Sequence, residues 1–372
     1  MEFDLSKPQK LLQKSARDLF ARACPAKRVR ELMATDTAFD PELWSAVAEQ
    51  GWLGIHLSEA HSGLGLGLVD LAVVAEEMGR ACFPGPFLGT VWAATLIAEA
   101  NPMWPLLHTL TTGEKKGAVA ILKPDASWDP IEVRSQSTLE GASYQLTGCK
   151  SFVSDAGVAD VIVCVDMMPD GDPALIVVPA KAAGVSIKPT PGMDQTRKLY
   201  DVTFESVTVL PKDVLAVGDA AHRALVRSMQ VGTLLVCADM LGGMQWILDN
   251  AVEYAKTRQQ FGKPIGSFQA VQHMCADMLL WTESSRSAIY FAAWAFDAEP
   301  ESAARVISTA KVYTSDASRE VANRGVQVHG GIGFTWEHDL QLYYKRSKAS
   351  EILFGDASHH RAQLADLVFG AC

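Results

Sequence analysis

The apolar positions of this chain change their period twice. From the start to about residue 113 they recur at helical spacing. Between Gln9 and Ala23, the residues Leu11, Leu12, Ala16, Leu19 and Phe20 fall near one face of an amphipathic helix. Asp40-Pro41-Glu42-Leu43 reads as a helix start, with an aspartate cap and a proline in the first turn. Leu68 to Ala81 reads as a buried helix, and Pro84-Gly85-Pro86 separates it from another apolar one. The glycine-rich stretch Gly63 to Gly67 lacks the register of a dinucleotide-binding loop and follows no strand, so it is read as a flexible connection.

Near residue 114 the pattern becomes short β-branched runs between Gly, Pro and Asp clusters. The runs are Ala118 to Leu122, Tyr144 to Leu146, Val161 to Val165, Ala174 to Val178, Val185 to Lys188 and Leu199 to Phe204. From Asp219 the helical period returns, over His222 to Lys256, Ser267 to Ala298, Glu301 to Val328 and Leu340 to Phe354. The expectation is an α+β chain in three parts. Residues 1–113 form a helical domain, 114–218 a β-domain of sandwich or barrel type, and 219–372 a four-helix bundle.

Composition narrows the function. A chain of 372 residues with 48% hydrophobic and 20% charged residues suits a globular protein with more than one core. The formal charge of −10 argues against nucleic acid or an anionic membrane as the main partner. No unbroken apolar run reaches eighteen residues, so no membrane-spanning helix is expected. The acidic-polar start MEFDLSKPQK does not read as a signal peptide, which makes the cytoplasm the expected location. The seven cysteines are odd in number and form no CxxC pair, and the histidines are scattered, so neither a disulfide framework nor a metal site is expected.

Two segments carry chemistry. Tyr254 to Gln269 reads YAKTRQQFGKPIGSFQ, and Gln327 to Gly333 reads QVHGGIG. Singly, the first is an arginine at a helix end and the second a turn between helices. In this order, inside a helical–β–helical chain, they resemble the acyl-CoA dehydrogenase family of flavoproteins, and the resemblance covers essentially the whole length.

That resemblance implies FAD as cofactor, an acyl-CoA thioester as substrate and electron-transfer flavoprotein as electron acceptor. It implies that these segments reach across a dimer and grip the ADP half of a flavin seated mainly in the neighbouring subunit. Arg258 would donate paired hydrogen bonds to the pyrophosphate. Phe261 would offer an aromatic face, and Gln269 and Gln327 polar side chains. Gly330 and Gly331 would bring main-chain amides close to an anion. Gly262 and Gly266 would let backbone approach the ligand.

The reaction centre departs from the family. The loop that lines the flavin ring, T-E-P-x-x-G-S-D in relatives, is here Leu122 to Asp129 and keeps only Pro124 and Asp129. Leu122 and Trp128 stand where hydroxyls are expected. The ring-facing K-x-W-I-T-N segment is Lys150 to Asp155, with Phe152 and Ser154 in place of Trp and Thr, and core packing is as good a reading of Phe152 as flavin stacking. In the commonest family pattern a Glu-Gly pair lies twenty-four residues after the first Gly of the Gly-Gly pair; here that count from Gly330 reaches Phe354, followed by Gly355. The alternative base position, twenty-six residues before the arginine, is Gly232. Both are without a carboxylate, so no catalytic residue is assigned.

Substitute acids are Asp239, Asp356, Glu76, Glu77 and Glu351. Asp239 reads better as a surface or capping residue, and Asp356 as the cap of a following helix. The pattern of losses points to the base-less subunit of a heterotetramer with a homologous acyl-CoA dehydrogenase chain, of the kind that degrades steroid side chains and other bulky acyl groups. A homomeric dehydrogenase with an unconventional acid, a flavin monooxygenase of the same fold and a purely structural partner remain as alternatives.

Overall fold

The computed structural model describes residues 4–124, 128, 136–140, 143–168 and 171–370. Six helices come first: α1 (Lys7–Ala23), α2 (Ala26–Met33), α3 (Pro41–Ala48), α4 (Leu68–Arg80), α5 (Phe87–Ala100) and α6 (Leu106–Thr111). Eight strands follow: β1 (Gly117–Ala120), β2 (Gln136–Glu140), β3 (Ser143–Ser154), β4 (Val161–Met167), β5 (Pro173–Pro179), β6 (Val185–Thr190), β7 (Leu199–Val209) and β8 (Val214–Val217). The remainder is α7 (Gly218–Thr257), the two-residue strands β9 (Gln259–Gln260) and β10 (Lys263–Pro264), α8 (Gln269–Ala298), α9 (Ala303–His329), α10 (Leu340–Ile352) and α11 (Ala357–Phe369).

The helical, β, helical order is as expected. The C-terminal region carries one helix more than the four read from the sequence. α7 is long and apolar enough to cross a membrane, a property that the search for an unbroken apolar run missed because polar residues interrupt it. Its apolar window is 83% buried inside the protein, as a core helix would be.

By contacts the chain forms two compact units. A bundle unit comprises Met1–Arg30, Gly67–Phe83 and Thr233–Cys372; a β unit comprises Glu31–Leu66 and Pro84–Gly232. In the β unit two four-stranded sheets, ordered β1-β4-β5-β8 and β2-β3-β7-β6, make a sandwich. Their shared core includes Ile162, Cys164 and Ile176 from one sheet and Leu146, Val202 and Phe204 from the other. Among the described residues all the pairings are antiparallel except β1 with β4. β3 and β7 outrun the sequence reading, since register shifts after Leu146 and Lys150 break the two-residue alternation that marks a strand. In α3, Asp40 accepts from the amides of Glu42 and Leu43, the cap the sequence announced.

In the bundle unit α1 packs on α4, α4 on α8, and α8, α10 and α11 on α9. α1 starts at a capping box between Ser6 and Gln9 and buries Ala16, Leu19 and Phe20. α4 and α7 cross with backbone against backbone. A Cβ on Gly79 would fall 1.9 Å from the Asp239 carbonyl oxygen, and one on Gly242 would fall 1.8 Å from that of Glu76. Only glycine permits this approach.

Candidate functional site

The first motif is a hairpin on the end of a helix. The Arg258 amide donates to the Tyr254 carbonyl at 2.8 Å and the Ile265 amide to the Arg258 carbonyl at 2.8 Å, so the chain leaves α7 and returns beside it. β9 and β10 pair antiparallel, with Phe261 (φ +50°) and Gly262 (φ +77°) at the tip. Phe261 is 91% exposed, although its ring meets Phe268 edge-on at 6.1 Å. At Gly266 the missing Cβ makes room for the Ala255 carbonyl, which a Cβ would approach to 2.9 Å. Gln269 then opens α8.

The second motif ends α9. Gln327 lies exposed on the last turn, His329 is the final helical residue and Gly330 turns the chain at φ +64°. A Cβ added to Gly330 or Gly331 would meet nothing within 4 Å, so this backbone is open to a ligand. The two motifs touch, because the Tyr254 and His329 rings stack at 4.6 Å. The side chains of Arg258, Gln269 and Gln327 are exposed and make no hydrogen bond or ion pair among the described residues. A cation, two amides and a bare glycine turn, all unspent and on one unit, suit the charged and polar half of a dinucleotide.

The acids show the opposite condition. Glu76 is buried, ion-paired to Arg286 and bonded by the Tyr290 hydroxyl at 2.7 Å. It lines a cavity of about 650 Å³ in which Arg80 pairs with Asp249, while Arg17, also in the lining, pairs with Glu77. Glu77 takes both prongs of Arg17, at 2.6 and 3.0 Å, and burial raises its proton affinity. Asp239 is no surface or capping residue: it is buried against Arg346, with bonds of 2.6 and 3.0 Å. Glu351 pairs with Arg319. Asp356 caps α11 through the His359 amide at 2.8 Å, as the sequence suggested. Each candidate acid is thus engaged in holding the fold.

Phe354 sits on a braced loop. It is 2% exposed and left-handed, at φ +59°, a conformation that disfavours any side chain with a Cβ. His360 donates from Nε2 to its carbonyl at 2.9 Å, and the buried Lys311 caps the end of α10 through the carbonyls of Ser350 (2.8 Å) and Glu351 (3.2 Å). Neither brace was read from the sequence, since a lone His or Lys gives no periodic signal. Gly232, the other base position, is buried within α7.

Burial lowers the His360 pKa from 6.5 to about 4. The unfolded imidazole takes its proton near 6.5 and the folded one only near 4, so lowering the pH through that window favours the unfolded chain. We expect a loss of about 2–3 kcal/mol from this one group between those limits. His360→Gln should flatten that part of the stability–pH curve measured by urea unfolding.

In the β unit, Phe152 sits at a β-bulge of β3 with φ +56° and is 38% exposed, so it is not a core residue. Ser154 ends the same strand half-buried. Lys150 is buried, its Nζ 3.5 Å from the Ile121 carbonyl, and Leu122 is buried too. Trp128 is half-buried, while residues 125–127 and Asp129 of that loop lie outside the described residues.

Comparison with known proteins gives a consistent picture. The acyl-CoA dehydrogenase N-terminal domain family matches residues 6–104, and the C-terminal domain family matches residues 222–369. The acyl-CoA dehydrogenase IpdE2 of Mycolicibacterium smegmatis is 31% identical over 98% of this chain and its own full length. The ChsE4-ChsE5 complex from Mycobacterium tuberculosis superposes with a TM-score of 0.90 at 25% identity, covering all of both chains. The Tcur3481-Tcur3483 steroid ACAD does so with a TM-score of 0.86 at 29% identity, covering 98% of each.

Proposed function

Since this chain belongs to the acyl-CoA dehydrogenase family, oxidoreductases acting on CH–CH donors, we propose that it is the base-less subunit of a heteromeric acyl-CoA dehydrogenase. Its role is to lend an ADP clamp to a flavin seated in a homologous partner chain. The observation that carries this reading is the contrast between two sets of residues. Arg258, Gln269, Gln327 and the Gly330–Gly331 turn face outward and unspent, while every acid weighed as a base is engaged within the fold.

When bound, FAD would supply the hydride acceptor for α,β-dehydrogenation. The α-proton requires a carboxylate within hydrogen-bond reach, and in this reading the partner provides it. A phenylalanine at 354 and a glycine at 232 can neither take a proton nor return one. Phe152 and Ser154 are left to line whatever flavin-ring pocket the β unit retains. The substrate is an acyl-CoA with a bulky, steroid-like acyl group, a proposal supported by the steroid dehydrogenase among its structural relatives. Electron-transfer flavoprotein would take the electrons, and the assembly would work in the cytoplasm.

The test is expression with and without a homologue that retains the Glu-Gly pair. We expect the chain alone to be colourless and the co-expressed pair to be yellow, of mixed composition, and bleached by an acyl-CoA. A yellow homotetramer of this chain alone, bleached by an acyl-CoA, would overturn the heteromeric reading in favour of an unconventional acid.

A further inference from the structure

We infer that Tyr254 and His329 are positioning residues of the clamp: their ring stack, with His338 against the His329 ring, is the joint that holds the Arg258 hairpin and the Gly330–Gly331 turn in register for one ligand. This rests on the clamp reading above and adds a working part to it.

The two halves of the clamp come from sequence segments far apart, one at the end of α7 and one at the end of α9. A dinucleotide half bound by both needs them fixed relative to each other within about 0.5 Å. Tyr254 is one helical turn before Arg258 and is tied to it by the 2.8 Å backbone bond. His329 immediately precedes the glycine turn and is 4% exposed. Its orientation is set by Nδ1 donating to the Gly325 carbonyl at 2.8 Å.

In that orientation one ring face lies on Tyr254, with centroids 4.6 Å apart and planes 27° from parallel. His338, beyond the turn, closes against the same ring at 4.6 Å and 58°. The turn itself folds back over this group, since a Cβ on Gly333 would come within 3.1 Å of the His329 Cβ. Burial lowers the proton affinity of both histidines, which favours their neutral forms. On the outer side nothing lies within 4 Å of a Cβ built on Gly330 or Gly331. The turn is therefore braced from within, where Leu340 and the Val326 carbonyl, each 3.3 Å from the Cβ position on Gly333, join His329.

The experiment uses the co-expressed complex and measures FAD affinity by fluorescence titration, alongside thermal stability and subunit association. His329→Ala should weaken FAD binding about tenfold, the upper range of one aromatic pair. His329→Phe keeps a ring and should restore binding to within about twofold. Tyr254→Leu should weaken binding as His329→Ala does, and the double variant should be no worse than either single one, because both remove the same contact. Tyr254→Leu also serves as the probe should His329→Ala fail to assemble.

Unchanged FAD affinity in both single variants, or additive losses in the double one, would sink the joint. Arg258→Ala is measured in the same series. If it releases flavin while the stack variants do not, the joint fails and the clamp stands. If Arg258→Ala itself leaves FAD binding unchanged, the clamp reading fails.

Discussion

Replacing Asp239 with alanine is expected to destabilise the chain by about 3–5 kcal/mol, the usual cost of removing one partner from a buried ion pair. The geometry explains the size. Asp239 and Arg346 are buried, with side-chain exposures of 9% and 8%, and bond through two parallel contacts of 2.6 and 3.0 Å. Arg346 spends another donor on the Phe83 carbonyl at 2.9 Å. Alanine at 239 would leave a guanidinium, which cannot shed its charge, facing apolar surroundings. Removing both charges together, as Asp239→Leu with Arg346→Met, should cost far less, because the desolvation of both groups is relieved as well. Urea unfolding of Asp239→Ala, and of the cycle made by the unaltered chain, Asp239→Leu, Arg346→Met and the double variant, measures this. A single-variant loss below about 1 kcal/mol would mean that the pair is hydrated and contributes as a surface bridge does.

This pair also marks the limit of what the sequence discloses. Apolar period identified the helices and the β segment, because burial of one face is a local property that recurs every few residues. The Asp40 cap was legible for the same reason: cap and amides lie within four residues. Asp239 was misread because its partner is 107 residues further on, and no spacing rule reaches that far. Glu76, Glu77 and Glu351 became intelligible only with Arg286, Arg17 and Arg319 beside them. The motifs at Arg258 and Gly330 could be read as segments, yet their contact through Tyr254 and His329 could not. Phe152, balanced between core and ligand-facing readings in sequence, is settled against the core by a bulge that alternation conceals.

Arg258→Ala should weaken FAD retention by the co-expressed complex roughly 100-fold. The estimate follows from about 3 kcal/mol for charge-assisted hydrogen bonds to a pyrophosphate. The structure makes this a clean substitution. Arg258 is exposed and its guanidinium has no ion-pair partner among the described residues, so its loss leaves no buried charge behind. Surface substitutions of this kind usually change stability by less than about 0.5 kcal/mol. Flavin content should therefore fall while the melting temperature of the flavin-free chain stays where it was. Arg258→Lys should recover only part of the affinity, since an ammonium restores the charge but not the paired donor geometry. The loss should shrink as salt rises, because screening weakens the contact in the unaltered complex as well. The measurement is FAD fluorescence during equilibrium dialysis of the purified complex. Equal retention by all three chains would show that Arg258 is an ordinary surface arginine. The base-less chain would then need another reason to keep its exposed amides and bare glycine turn.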